Sequence, residues 1–261
     1  MFFEIHKDIP REGPGNNEST RRAFYMLTDL PVHPHVLDVG CGPGMQTKEL
    51  ANLTDGTITA LDRHAPFLQK LDAWIAENGL TKKIKTVQGD MFDLPFEEQS
   101  MDLIWSEGAI YIIGFERGLR EWRKLLKPRG YLVVSELTWL TEERPSEIEA
   151  FWMENYPGIK SAVANEGIAE HAGYQLINHF TLPEAGWWEY YRPLEQRVAM
   201  LREQFPSQVN MLDALDETQR EIELYKKYSA YYGYTFYILQ IGNKKFKHRR
   251  STHSREGRFS L

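Results

Sequence analysis

Short apolar runs alternate with stretches of helical period through the first half of the chain. Val36 to Val39 is an apolar run that ends in glycines at alternate positions, Gly40, Gly42 and Gly44, and a helical pattern then covers Gln46 to Leu53. That order predicts a strand, a tight turn and a helix start. The pattern repeats. Thr57 to Asp62 predicts a second strand, and Pro66 opens a helix, where its missing N–H costs little. Phe67, Leu68, Leu71, Trp74 and Ile75 recur at helical spacing as a core stripe, and Gly79 stops it. Ile84 to Gln88 and Met101 to Glu107 predict the third and fourth strands. A helix from Phe115 to Leu126 places Phe115, Leu119, Trp122, Leu125 and Leu126 on one face. Lys127-Pro128-Arg129-Gly130 then turns the chain into a fifth strand, Tyr131 to Leu137. Strands alternating with helices predict an α/β fold, a parallel sheet with helices on both faces.

Outside this region the pattern is less regular. Residues 1–20 are polar and read as a loop that contains Arg11-Glu12-Gly13-Pro14-Gly15-Asn16-Asn17. A short helix follows from Glu18 to Leu30, with Ala23, Phe24, Met26 and Leu27 on its apolar side. The Gly-Pro-Gly segment reads either as a lid over a ligand or as a surface turn, so residues 1–30 form a candidate lid. Ser146 to Asn155, Lys160 to Ala172, Trp187 to Gln204 and Leu212 to Tyr231 predict helices. Tyr174 to Leu182 and Tyr234 to Ile241 predict two more strands. Residues 242–261 hold seven Lys and Arg against one Glu and predict a disordered basic tail.

Candidate chemistry gathers where strands end, because ligands of open α/β sheets bind beyond the carboxyl ends of the strands. Gly40, Gly42 and Gly44 allow positive φ and a close approach of ligand to backbone. Exposed N–H groups at a helix start suit a carboxylate or phosphate. Asp62 ends the second strand, 24 residues after Asp38, where an acid can bind both hydroxyls of a ribose.

Asp38-Val39-Gly40-Cys41-Gly42-Pro43-Gly44 resembles the first motif of the class I S-adenosylmethionine-dependent methyltransferases. Its spacing is G-x-G-x-G, whereas the dinucleotide fingerprint needs its third glycine where Met45 stands. Gly89-Asp90-Met91 with Leu94-Pro95-Phe96, and the stretch from Leu125 through Lys127-Pro128-Arg129-Gly130 to Glu136, resemble further motifs of that family. Trp105 to Leu119 is similar to a prokaryotic subgroup near the ubiquinone/menaquinone-biosynthesis and small-molecule types. The resemblance runs through most of residues 10–240. It implies a Rossmann-like, seven-stranded, mostly parallel sheet over residues 31–241, with the last strand antiparallel. Insertions at 138–172 and 183–231 would roof the site. The implied cofactor is S-adenosyl-L-methionine. Asp62 would grip its ribose, Arg63 cover the adenine face, Asp90 accept from the adenine amino group, and the Met91 N–H meet a ring nitrogen. Asp38, Gly40, Cys41, Gly42, Gly44, Gln46, Thr47 and Ser106 complete the implied cofactor set.

Composition narrows the function. A net charge of −6 argues against a large nucleic-acid surface, which needs clustered Lys and Arg. The single cysteine, Cys41, rules out an internal disulfide and a multi-cysteine zinc site, and reads as a packed, inert thiol. With no His-Glu-x-x-His and no Asp/His cluster, no metal is expected. There is no apolar run of membrane-spanning length and no signal-peptide core, so the expected location is cytoplasmic.

Methyl transfer from a sulfonium is an in-line displacement, to which positioning contributes up to about 7–11 kcal/mol by analogy with intramolecular reactions. A hydroxyl acceptor needs a base, while a neutral amine needs little help. The ends of strands four and five face the acceptor. Glu107 is the candidate pocket acid and Tyr111 its aromatic partner, so these two are the candidate catalytic residues. Trp105 and Trp139 are the candidate substrate-pocket walls. Trp187, Trp188, Tyr190 and Tyr191 read as pocket cover or as core. The expected function is methyl transfer to a small-molecule acceptor. The alternatives are an RNA or protein methyltransferase tethered by the basic tail, a nicotinamide oxidoreductase, and a non-catalytic cofactor-binding module. Asp62 suits the oxidoreductase, but the glycine spacing and Asp90 do not. Enzymes that methylate the amino groups of bases and glutamine commonly carry Asn/Asp-Pro-Pro-Tyr after the fourth strand. Here that segment reads Trp105-Ser106-Glu107-Gly108.

Overall fold

In the computed structural model residues 2–242 are described, and the basic tail beyond Gly242 lies outside the described residues. A single helical turn, α1 (Phe2–Ile5), and helix α2 (Asn17–Phe24) precede strand β1 (His35–Val39). Next come α3 (Met45–Leu53), β2 (Thr57–Asp62), α4 (Ala65–Glu77), β3 (Ile84–Gln88), β4 (Met101–Ser106), α5 (Phe115–Trp122) and β5 (Leu126–Trp139). The second half adds α6 (Ser146–Asn155), β6 (Lys160–Ser161), α7 (Ala162–His171), β7 (Tyr174–Thr181), α8 (Glu184–Gln204), α9 (Val209–Tyr228) and β8 (Tyr232–Ile241).

The strands lie in the order β3-β2-β1-β4-β5-β8-β7. Strands β1 to β5 run parallel, and β8 is antiparallel to both β5 and β7. This is the expected seven-stranded path with one addition. The two-residue β6 pairs with Thr138 and Trp139, which makes the sheet eight-stranded. A helix was expected from Lys160. Instead Ser161 stays extended and caps α7, its hydroxyl accepting from the Ala164 N–H at 3.2 Å.

Strand β5 is longer than its apolar pattern predicts, because β8 pairs with it from Tyr131–Gln240 to Trp139–Tyr232. At its start the expected helix stops at Trp122, and a 3₁₀ turn over Arg123–Leu125 leads into the strand. Helix α2 is also shorter than expected. Asn16 caps it by accepting from the Ser19 N–H at 2.8 Å, and it ends at Phe24 rather than Leu30. Residues 2–5 form a helical turn where the polar pattern reads as loop.

Side chains alternate between two cores, as the period of a strand requires. Val36, Leu103, Trp105 and Val133 enter the first core, and Leu37, Val39, Ile104, Leu132 and Val134 the second. Helices α3, α4, α8 and α9 close the first core, and α5 and α7 the second. Helix α7 therefore lies on the opposite face with α5, with Ala169 packed in the cluster of Phe115, Leu119 and Tyr174, although its residues fall in a segment expected to roof the site. On adjacent strands Phe180 and Phe236 stack with centroids 5.0 Å apart and planes at 4°, and the Arg22 guanidinium covers Phe180 at 4.0 Å.

Glu136 is one of the acids buried in this sheet. Glu136 of β5 accepts from the Tyr156 hydroxyl at 2.5 Å through Oε1, and its Oε2 has no partner. Burial raises its pKa to about 8.

Phe236→Ala is expected to cost about 3–5 kcal/mol, the usual range for deleting a fully buried ring. It will lower the urea midpoint at unchanged m-value, and a loss below about 1 kcal/mol would mean that the stack is not core. Between the ordinary carboxylate range and pH 8 the folded chain keeps a proton at Glu136 that the unfolded chain has released. Stability therefore falls as pH rises through that window. Glu136→Gln removes this dependence, so between pH 6 and pH 8 the wild type will lose on the order of 2–3 kcal/mol more than the variant. Thermal melts across that range check it, and parallel pH profiles would contradict it.

Candidate active site

Strands β1 and β4 are neighbours whose following helices part company, α3 into the first core and α5 into the second. The crevice beyond the strand ends at such a switch point is the usual ligand site of an open α/β sheet. A cavity of about 480 Å³ lies there. Gly40, Cys41, Gly42, Gln46, Asp62, Arg63, Asp90, Met91, Glu107 and Tyr111 share its wall.

The turn after β1 has φ of +72°, +54° and +88° at Gly40, Gly42 and Gly44. A Cβ at Gly40 would stand 2.6 Å from that of Ala109, and one at Gly44 2.5 Å from a Leu71 methyl, so both positions demand glycine twice over. Within the turn the N–H groups of Gly40, Cys41, Gly42 and Gly44 are not free. Those of Gly40 and Cys41 donate to the Leu61 carbonyl at 2.9 and 3.0 Å. That of Gly42 donates to Asp62 Oδ2 at 2.9 Å, and that of Gly44 to the Cys41 carbonyl at 3.0 Å. What the turn offers is bare backbone at close range, locked to the end of β2. Burial pushes the Cys41 thiol pKa up, which removes it as a nucleophile.

Four residues expected to touch the cofactor stand behind the cavity wall. Asp38 is fully buried beneath the turn, with the Thr47 hydroxyl donating to Oδ2 at 2.5 Å and the Gln46 amide to Oδ1 at 3.3 Å. Burial raises the Asp38 pKa to about 7 against these two hydrogen bonds. Asp38 and Thr47 lock the first turn of α3 onto β1. Gly44 is packed on Leu71. The Ser106 hydroxyl donates to the Val39 carbonyl at 2.9 Å and ties β4 to β1. These four shape the site without lining it.

Two backbone donors aim the Asp62 carboxylate, Gly42 N–H at Oδ2 and His64 N–H at Oδ1, the latter at 2.8 Å. Each oxygen keeps lone-pair capacity for a further donor. In the loop after β3, Asp90 Oδ1 accepts from the Phe92 N–H at 3.0 Å, and the Trp122 indole donates to the Met91 carbonyl at 3.2 Å. The exposed Arg63 follows Asp62 on the wall.

Glu107 is buried within a network of donors. Its Oε1 accepts from the Thr20 hydroxyl at 2.7 Å and the Trp105 indole at 2.9 Å, and the Arg11 guanidinium lies 3.6 Å from Oε2. Burial raises its pKa, opposed by the charge of Arg11. Glu107 Oε2 and Arg11 Nε both lack a hydrogen-bond partner. Residues 10–14 run along this cavity and are held from both sides. Gly15 N–H donates to the Gly186 carbonyl at 3.0 Å, and Arg197 pairs with Glu4 at 3.0 Å. On the other side Lys70 pairs with Asp8 at 2.8 Å, and Phe3 stacks on His64 at 3.7 Å. His6, Arg11, Glu12 and Thr20 are site residues that sequence reasoning missed. The Gly13-Pro14-Gly15 turn was the one signal of this segment.

A second cavity of about 460 Å³ adjoins the first. Glu12, Gly13, Pro14, Gly108 and Tyr111 line both. Tyr111 is 41% exposed at this junction, its ring edge-on to Tyr156 with centroids 6.0 Å apart. Helices α6, α8 and α9 supply much of the remaining wall, through Phe151, Trp152, Trp187, Tyr190 and Glu221. Within the aromatic run, Trp188 and Tyr191 pack instead on Tyr225.

Neither expected pocket tryptophan is on a cavity wall. Trp105 is fully buried in the first core and meets the site only through its indole N–H. Strand β5 carries Trp139 past the cavities to pair with Ser161, where the Arg144 guanidinium covers its ring at 4.4 Å. Among the described residues, no helix is long and apolar enough to cross a membrane, and no group of three or more His, Cys, Asp or Glu is set to hold a metal ion.

Comparison with known proteins shows what this fold is similar to. Residues 37–134 match a family model described as a methyltransferase domain. Sterol 24-C-methyltransferase ERG6B of Gibberella zeae is 28% identical over 67% of this chain and 49% of its own length. The chain spans about half the length of the curated relatives it matches. A S-adenosylmethionine-dependent methyltransferase from Geobacter sulfurreducens, solved with S-adenosyl-L-homocysteine, superimposes with a TM-score of 0.80 at 17% identity, over 92% of this chain and 97% of that one. One from Thiobacillus denitrificans, solved with the same ligand, gives 0.79 at 17% identity over 92% and 98%. The family match runs from β1 into β5, the strands that build the crevice, so this part of the chain is similar to a methyltransferase domain.

Proposed function

We propose that the chain transfers a methyl group from S-adenosylmethionine, held in the first cavity, to a small molecule held in the second. The observation that carries this reading is the shared wall at Glu12, Gly13, Pro14, Gly108 and Tyr111, where the two cavities meet.

The residues of the first cavity suit the cofactor. Asp62 has spare acceptor capacity for two ribose hydroxyls, and Asp90 and Met91 offer an acceptor and a backbone edge for the adenine. At the other end, the unpartnered Arg11 Nε and Glu107 Oε2 belong to side chains that face each other. A donor and an acceptor so placed match the carboxylate and ammonium of an amino-acid zwitterion. S-adenosylmethionine supplies a methyl group already activated on a sulfonium. The work of the chain is then alignment and exclusion of water. Residues 10–14 act as the lid that excludes it, and Glu107 holds that lid through Arg11 and Thr20 instead of acting as a base. Tyr111 presents an aromatic ring at the junction through which positive charge passes. The names of the curated relatives, sterol 24-C-methyltransferases, support a small organic acceptor. The net charge of −6 supports the same choice over a nucleic acid.

Calorimetric titration tests the cofactor assignment. S-adenosylmethionine and S-adenosylhomocysteine are expected to bind and NADH is not. Asp62→Ala is expected to weaken both by at least about tenfold, since hydrogen bonds to a charged group are worth about 1.5–3 kcal/mol each. Binding of NADH alone, or an unchanged affinity in the variant, would overturn the assignment.

A further inference from the structure

The second cavity has a wall of two kinds. Tyr111, Tyr156, Trp187, Tyr190 and Tyr234 present rings to it. Between them stand carboxylates: Glu12 at the junction, the half-buried Glu221 on α9, and Glu154 and Glu217 at the exposed rim. The opposing charge on this wall is Arg220, whose guanidinium lies over Phe151 at 5.6 Å, with His6 set 3.1 Å from Glu12 Oε2. Acids therefore outnumber fixed cations on the wall.

One of these acids is incompletely satisfied. Glu221 Oε1 accepts from the Tyr191 hydroxyl at 2.8 Å. Glu12 Oε2 faces His6, while Glu12 Oε1 is buried with no hydrogen-bond partner. Burial raises the pKa of both acids. A hydrocarbon acceptor filling this space would leave buried carboxylate oxygens against apolar atoms, which is costly. A cation would pair with them and rest against ring faces, the arrangement that recognises organic ammonium groups.

We infer that the second cavity is the acceptor site for a small organic amine, taken up as its ammonium between the aromatic rings and Glu221, with the nitrogen to be methylated beside Glu12. This rests on the reading of the first cavity as the S-adenosylmethionine site. Glu12 is the carboxylate that lines both cavities, so it stands where the methyl group crosses. The ammonium gives its proton to the Glu12 carboxylate, which passes it to solvent before attack. The freed lone pair forms the N–C bond, the C–S bond breaks, and its electron pair stays on sulfur in S-adenosylhomocysteine. The product carries the positive charge on nitrogen.

Calorimetry on the full chain saturated with S-adenosylhomocysteine tests this, with choline as the ammonium probe and 3,3-dimethylbutan-1-ol as its neutral isostere. Choline is expected to bind at least about tenfold more tightly than the isostere, as a cation–π and carboxylate site requires. Glu221→Gln keeps an acceptor for Tyr191, and is expected to weaken choline about fivefold or more without changing S-adenosylhomocysteine or the isostere. Should that variant fail to fold, Glu12→Gln is compared on choline against the isostere alone, and melting temperatures are read alongside. Equal affinity for the two probes, or binding of a sterol in their place, would overturn the inference while leaving the cofactor site standing. Failure of S-adenosylhomocysteine to bind the wild type would bring down the cofactor reading and the inference with it.

Discussion

The Glu107 carboxylate lies out of water with the Thr20 hydroxyl, the Trp105 indole and the Arg11 guanidinium converging on it. Taking a carboxylate and a guanidinium out of water costs several kcal/mol per ion, and removing one partner of such a pair typically costs about 3–5 kcal/mol. Only Trp105 comes from the sheet. Thr20 and Arg11 come from the N-terminal segment, so Glu107 is properly compensated only while that segment is docked. The dependence runs both ways, because Arg11 is itself buried with Asn17 Oδ1 as its neutral partner at 3.0 Å. The wall between the two cavities is made by the residues that follow Arg11. On the proposed reading a zwitterion at Arg11 and Glu107 supplies the partners these two lack, so cofactor binding and closure of the segment favour each other.

Much of the domain was legible because its signals are local. The strand and helix periods, the glycines of the turn, and acids at the ends of β2 and β3 each lie within a few residues of what they do. The same motif misled where a residue's face decides its role. Asp38 sits two residues before Gly40, yet strand alternation sends it under the turn to Thr47 rather than into the cavity. Trp139 was misplaced because the length of β5 is set by β8, through pairs such as Thr138 with Gly233 and Trp139 with Tyr232. Thr20 and Glu107 stand 87 residues apart, and a polar loop carries no periodicity that would announce their contact. The second cavity was hidden for a related reason. Its wall draws on loop, helix and strand residues from Ile5 to Tyr234, and aromatics at helical spacing look alike whether they face a core or a void.

Charge balance across the two cavities bears on the chemistry itself. On the first side Asp62, Asp90 and Glu107 face Arg11 and Arg63, and on the second Glu12, Glu154, Glu217 and Glu221 face Arg220. Methyl transfer from a sulfonium neutralises sulfur and, when the attacking atom is a neutral nitrogen, creates positive charge on the acceptor. One unit of charge thus moves from the first cavity toward the second. Carboxylates and ring faces on the receiving side interact more strongly with the transition state than with a neutral amine before attack, and only such a difference accelerates the step. Rings on the second wall act in the same sense, since a ring face attracts the forming ammonium more than the amine that precedes it. The residues that select a cation when the acceptor enters are therefore the ones whose attraction recovers as charge returns to nitrogen during transfer. Recognition and rate draw on the same side chains at Glu12 and Tyr111, where the cavities meet.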